Sequence, residues 1–149
     1  MKILLDVFGP ANKGKSTAII DAFCKLSGKD EKEYFDVNGY LKPKDIVGEV
    51  LSLNGKKIGF VSYGDDDYNE HMLFNLADNE CDVIVCASRT RGRSLDKVIE
   101  IANHHKYQIV YLSPFCYYNL SDNMGKLQGC LKELNGNSIV NFINEVVKF

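Results

Sequence analysis

The sequence predicts an α/β domain: three layers, with a mostly parallel sheet, one antiparallel strand supplied by a hairpin, and helices on both faces. Three observations predict it. Strand-like apolar runs alternate with segments carrying apolar residues at i, i+3, i+4 and i+7, the order that builds a parallel sheet covered on both sides. The pair Asn54-Gly55 separates two apolar runs; both residues tolerate the positive φ of a type I′ turn, which makes the pair a strong hairpin signal. Cys81-Asp82-Val83-Ile84-Val85-Cys86-Ala87 is apolar on both faces, as a central parallel strand is. No internal repeat, low-complexity tract or linker divides the chain, so residues 1–149 read as a single domain.

In chain order, residues 2–8 read as the first strand, and Ile19, Ala22, Phe23 and Leu26 mark the first helix, with Gly28 as its C-cap. Residues 34–44 read mainly as a surface connection, with Tyr34-Phe35-Asp36-Val37 a candidate short strand. The hairpin strands span residues 46–53 and 57–63, and Gly64-Asp65-Asp66-Asp67 ends the second. A helix follows with Met72, Leu73, Leu76 and Ala77 on one side. Beyond the strand at 81–87, Ser94 is placed to N-cap a helix whose core face carries Leu95, Val98, Ile99 and Ala102. His104-His105 closes that helix, where positive charge is favoured. Residues 107–112 form the last strand, stopped at Ser113-Pro114. Leu127, Leu131 and Leu134 predict a helix, broken at Asn135-Gly136-Asn137, before a terminal helix carrying Ile139, Phe142, Ile143, Val146 and Val147.

The bulk composition narrows the function classes. Hydrophobic residues make up 45% and charged ones 26%, ordinary for a globular domain. A net charge of −2 gives no global basic field for nucleic acid or an anionic membrane. The five cysteines are odd in number, scattered and without a C-x-x-C pair, so they read as reduced core thiols of a cytoplasmic protein. The chain starts without a signal-peptide pattern, and no apolar run approaches the length of a membrane span.

Gly9-Pro10-Ala11-Asn12-Lys13-Gly14-Lys15-Ser16-Thr17 fits G-x-x-x-x-G-K-[ST] and sits between the first strand and the first helix. Glycines let successive backbone N–H groups turn inward around a phosphate, and the following helix presents its positive end to the same anion. Over residues 1–26 the chain resembles the P-loop nucleoside triphosphatase superfamily. The resemblance implies a nucleotide site built from Gly9, Asn12, Lys13, Gly14, Lys15, Ser16 and Thr17. Lys15 would reach the β- and γ-phosphates, and the Ser16 hydroxyl would bind Mg²⁺.

In doubly wound sheets ligands bind beyond the carboxyl ends of the strands. Two further features fall there. Ile58-Gly59-Phe60-Val61-Ser62-Tyr63-Gly64-Asp65 is a loose match to an apolar strand ending in a metal-binding acid, with Asp65 or Asp66 as that acid. The more apolar strand at 83–86 ends instead in Ala87-Ser88-Arg89. In the turn after it, Arg89, Arg91 and Arg93 carry planar guanidinium groups suited to phosphate. That turn is similar to the arginine-bearing lids of small nucleotide and metabolite kinases. Solvated acidic and basic turns are the bland alternatives for both features. Tyr117-Tyr118 is read as surface packing, and the Asp65-Asp66-Asp67 spacing does not fit a calcium loop.

The sequence therefore predicts an ATP-binding, Mg²⁺-dependent P-loop protein, a small-kinase-type phosphotransferase or a hydrolase of ATP, with Lys15, Asp65, Asp66, Arg89 and Arg91 as catalytic candidates. The phosphate acceptor, small molecule or protein, is not specified by any motif. A GTPase-like switch is the second reading, since G-x-x-N-x-G-K-S is similar to the loops of some GTPases. It lacks an N-K-x-D motif and the glycine of D-x-x-G. A non-enzymatic module that binds nucleotide to regulate a partner is the third.

Overall fold

The first strand, β1 (Ile3–Phe8), lies in the middle of the molecule. In this computed structural model it pairs in parallel with β6 (Val83–Ser88) on one side and with β7 (Gln108–Leu112) on the other. The structure describes residues 1–10, 14–36, 42–62, 67–90, 92–116 and 124–149. Beyond β6 come β5 (Lys56–Val61), parallel to it, and β4 (Val47–Leu53), antiparallel to β5, giving the order β4-β5-β6-β1-β7. Asn54 at φ 50° and Gly55 at φ 76° make the hairpin turn, the positive pair that matches strand twist. A register shift at Gly48 bends the edge strand β4, a feature that discourages edge-to-edge pairing. The α/β fold with a mostly parallel sheet and one antiparallel hairpin strand is thus as expected.

Successive side chains of a strand point to opposite faces, and helices cover both. Leu5, Val7, Phe60 and Val85 meet α1 (Lys15–Ser27) and α4 (Met124–Val146) through Ile19, Phe23, Ile139 and Ile143. On the opposite face Leu4, Ile84 and Cys86 meet α2 (Asp67–Asp78) and α3 (Arg93–His105) through Leu73, Leu76, Val98 and Ile101. Each fully buried Leu, Ile or Phe stabilises the fold by about 1.5–3 kcal/mol. Gly28 takes φ 74° and ends α1 as the expected C-cap, its N–H donating to the Cys24 carbonyl.

Several local expectations are corrected. The C-terminal region is one continuous helix, α4, rather than two. Asn135 and Gly136 are buried in it: the Asn135 amide pairs with both the N–H and the C=O of Phe115, and a Cβ at Gly136 would fall inside the Asp21 carboxylate. These residues serve tertiary packing instead of breaking the helix, and Leu127 and Leu134 are exposed. Ser94 does not cap α3. Gly92, at φ 96°, holds the cap position, and the Ser94 hydroxyl accepts the Arg89 N–H at 3.1 Å from inside the first turn. Ile99 faces outward while Ile101 is buried. The candidate short strand after α1 is present as β2 (Phe35–Asp36), which pairs with β3 (Lys42–Pro43) in a two-stranded ribbon, and Phe35 joins the core. Cys24, Cys81 and Cys86 are buried free thiols as expected, whereas Cys116 and Cys130 are exposed. Among the described residues no helix is long and apolar enough to cross a membrane.

Candidate functional site

All strands of the sheet except β4 run the same way, so the ends of β1, β5 and β6 lie along one rim. After β1 the chain enters α1 on one face, and after the adjacent β6 it enters α3 on the other. Neighbouring strands whose connections part in this way open a crevice between their carboxyl ends, where α/β folds hold ligands.

Gly9 begins the loop at that crevice, its N–H donating to the Ser88 carbonyl at 3.2 Å. Gly14 ends the loop at φ 82° and ψ 13°, a left-handed conformation that favours glycine. It caps α1 with no side-chain hydrogen bond, which leaves the first-turn N–H groups of the helix to other acceptors. By contrast, a Cβ at Gly9 would meet only Lys15 Cδ, at 4.0 Å, so the glycine requirement rests on Gly14.

Lys15, the first residue of α1, turns back over the crevice. Its Nζ donates to the Gly9 carbonyl at 2.8 Å and to the Ser88 carbonyl at 3.0 Å, joining the ends of β1 and β6. The Ser16 hydroxyl donates to the Ser62 carbonyl at 2.7 Å, tying α1 to the end of β5. Ser62 is itself fixed, its own hydroxyl accepting the Ile46 N–H at 2.6 Å and donating to Asp45 at 3.0 Å. Thr17 is half-buried in the same turn. Lys15, Ser16, Gly9 and Ser88 are thereby brought together from three strand ends.

Sequence reasoning missed Asp6. It lies on β1 in register with Cys86, fully buried, and accepts a 2.6 Å hydrogen bond from the Ser88 hydroxyl, with the Cys86 thiol at 3.9 Å. Burial pushes the carboxyl up from 3.8 to about 6, against the pull of the Ser88 hydroxyl, the Lys15 charge and the Cys86 thiol. The available signal was an acid inside an otherwise apolar strand, three residues before the glycine loop.

Arg89 follows Ser88 directly and is exposed at the rim, its backbone held by Ser94. Asn12, Lys13, Asp65, Asp66, Arg91 and Tyr117-Tyr118 lie outside the described residues. His105 stands 3.5 Å from Asp78 and stacks edge-on with Phe74, a structural role at the end of α3. Among the described residues no group of three or more His, Cys, Asp or Glu is placed to hold a metal ion. In comparisons with known proteins, no family model, no curated protein and no solved structure matches this chain.

Proposed function

We propose that this chain is a P-loop protein that binds ATP with Mg²⁺ and acts as a small-kinase-type phosphotransferase or an ATPase. The observation that carries the reading is the position of Lys15. It is the first residue of a helix capped by a left-handed glycine, and its ammonium spans the carbonyls at the ends of β1 and β6. A polyanion entering there meets the N-terminal N–H groups of α1 and exchanges its own oxygens for the two carbonyls that hold the lysine.

The roles follow from chemistry. Lys15 neutralises the β- and γ-phosphates, Gly9, Asn12, Lys13, Gly14 and Thr17 line the phosphate loop, and Ser16 supplies an oxygen to Mg²⁺. Asp65 and Asp66 follow Ser62, the residue tied to Ser16, by three and four positions. One of them completes the metal site. Arg89 and Arg91, at the exit from β6, stabilise charge on the transferred phosphoryl group. Phosphoryl transfer needs little from the protein beyond this positioning and electrostatics.

A second reading, a nucleotide-binding regulatory module without turnover, is favoured by one observation: the fully buried strand β6 ends at Ser88 and is followed by Arg89 instead of an acid. Titrating the protein with ATP, GTP, CTP and UTP, with and without Mg²⁺, while following phosphate release, separates the readings. ATP preference with Mg²⁺-dependent affinity and measurable release supports the enzyme. Tight binding without release, in the presence of a panel of acceptors, supports the module, and GTP preference supports a GTPase-like switch. Absence of binding to every nucleotide overturns all three.

A further inference from the structure

We propose that Asp6 is the buried counter-charge of the phosphate loop and that it takes up a proton when a nucleoside triphosphate occupies the site. The inference rests on the nucleotide-binding reading above and adds a proton to it.

The geometry points there by a short chain of contacts. The Asp6 carboxylate accepts from the Ser88 hydroxyl, and the Ser88 carbonyl accepts from Lys15. Asp6 is shut off from water, yet its negative charge lies within electrostatic reach of Lys15, the ammonium offered to phosphate. Around it on the same sheet face stand Ser88 and Cys86 of β6 and, in register across β7, Tyr111. The helices packed on that face turn apolar side chains toward the sheet, Val98 and Ile101 from α3 and Leu73 and Leu76 from α2. Glu70 of α2 also pairs with Lys97 of α3 at 3.8 Å, and the described cation whose charge acts on Asp6 is Lys15.

A bound triphosphate changes this balance in two ways. It draws the ammonium toward its own oxygens, and it adds negative charge above a buried carboxylate. Both effects favour the neutral acid. The proton arrives from solvent and lands on a carboxylate oxygen, and no bond of the nucleotide breaks or forms. With the carboxyl at about 6 in the free protein, a tenfold tighter hold on the proton in the bound state gives an uptake of about half a proton per nucleotide near pH 6.5. The same linkage weakens binding about tenfold between pH 5 and pH 8.

Calorimetry of the whole chain with Mg²⁺ and the non-hydrolysable imido analogue of ATP, in two buffers of different ionisation enthalpy, reads the proton directly. Protons exchanged by the analogue itself appear equally in the parent and in Asp6→Asn, so the difference between them belongs to Asp6. The expected result is about half a proton more taken up by the parent at pH 6.5, with Asp6→Asn binding about tenfold more tightly than the parent at pH 8 and equally at pH 5. Identical proton exchange in the two proteins, or an affinity deficit of Asp6→Asn at every pH, overturns the proposal. Ser88→Ala gives a second test if Asp6→Asn does not fold. It removes the hydroxyl that holds the ionised carboxylate and moves the uptake to higher pH, and an unmoved window overturns the proposal. If the parent does not bind the analogue at all, the nucleotide reading itself falls and takes the counter-charge with it.

Discussion

Ser16 and Ser62 are joined by a 2.7 Å hydrogen bond from the Ser16 hydroxyl to the Ser62 carbonyl, across 46 residues of sequence. The bond locks the start of α1 to the end of β5, the strand that leads into Asp65 and Asp66. Ser16→Ala removes the bond and the proposed Mg²⁺ ligand together. Such a loss costs about 1 kcal/mol of stability in the free protein, read from urea unfolding, and it abolishes the Mg²⁺ dependence of ATP binding. Ser16→Thr retains both. Asp65→Asn or Asp66→Asn weakens Mg²⁺-dependent binding while leaving metal-free binding less affected. If neither Asn variant alters the Mg²⁺ dependence, the acidic turn is solvated surface.

Two glycines of α4 have opposite expected responses. Gly129 has open space where a Cβ would go, so Gly129→Ala stabilises the helix by about 0.5–1 kcal/mol. Gly136 is packed against the Asp21 carboxylate, which also meets Lys25 at 2.7 Å and Lys132 at 3.9 Å. Overpacking there outweighs the propensity gain, and Gly136→Ala destabilises by about 1–3 kcal/mol. Thermal melts of the two variants check both signs, and a stabilised Gly136→Ala contradicts the packing of α4 on α1.

The contrast between these glycines shows where the sequence was legible. Local signals are sufficient for the Asn54-Gly55 turn, the Gly28 cap and the helix after Lys15, because their causes lie within a few residues. Asn135-Gly136 reads as a breaker by propensity, whereas its cause is α1 and the Phe115 backbone, elements distant in sequence. Asp6 escaped for the same reason, since its partner Ser88 is 82 residues away. The glycine-lysine-serine stretch lies between β1 and α1, at the rim where β1 and β6 end. It did not reveal that the Ser88 carbonyl is half of the cradle of Lys15.

Asp6 also sets an expected pH dependence. Its carboxyl is raised from 3.8 to about 6 by burial, so the folded state binds the proton more tightly than the unfolded one. Stability from this group is therefore greatest at acid pH and falls as pH rises from about 4 through 6, by up to about 3 kcal/mol. Asp21 shifts the same way by burial, while Glu31, despite its own burial, is lowered by Lys132, so their slopes oppose each other. The pH-dependent difference between the parent and Asp6→Asn isolates Asp6. Denaturant unfolding of both at pH 4, 5, 6 and 7 reads it, and parallel curves contradict the assignment.

A melting curve with and without ATP and Mg²⁺ reads whether Lys15 holds triphosphate at the β1–β6 crevice. Removing Lys15 loses two hydrogen bonds to the Gly9 and Ser88 carbonyls, so free Lys15→Ala melts somewhat below the parent. The decisive quantity is the ligand-induced shift within each protein. At one hundred times its Kd, ATP stabilises the parent by about 2.7 kcal/mol, visible as a rise in Tm of several degrees. Lys15→Ala is expected to lose most of that rise at the same ATP concentration. Equal ATP-induced shifts in Lys15→Ala and the parent would contradict it.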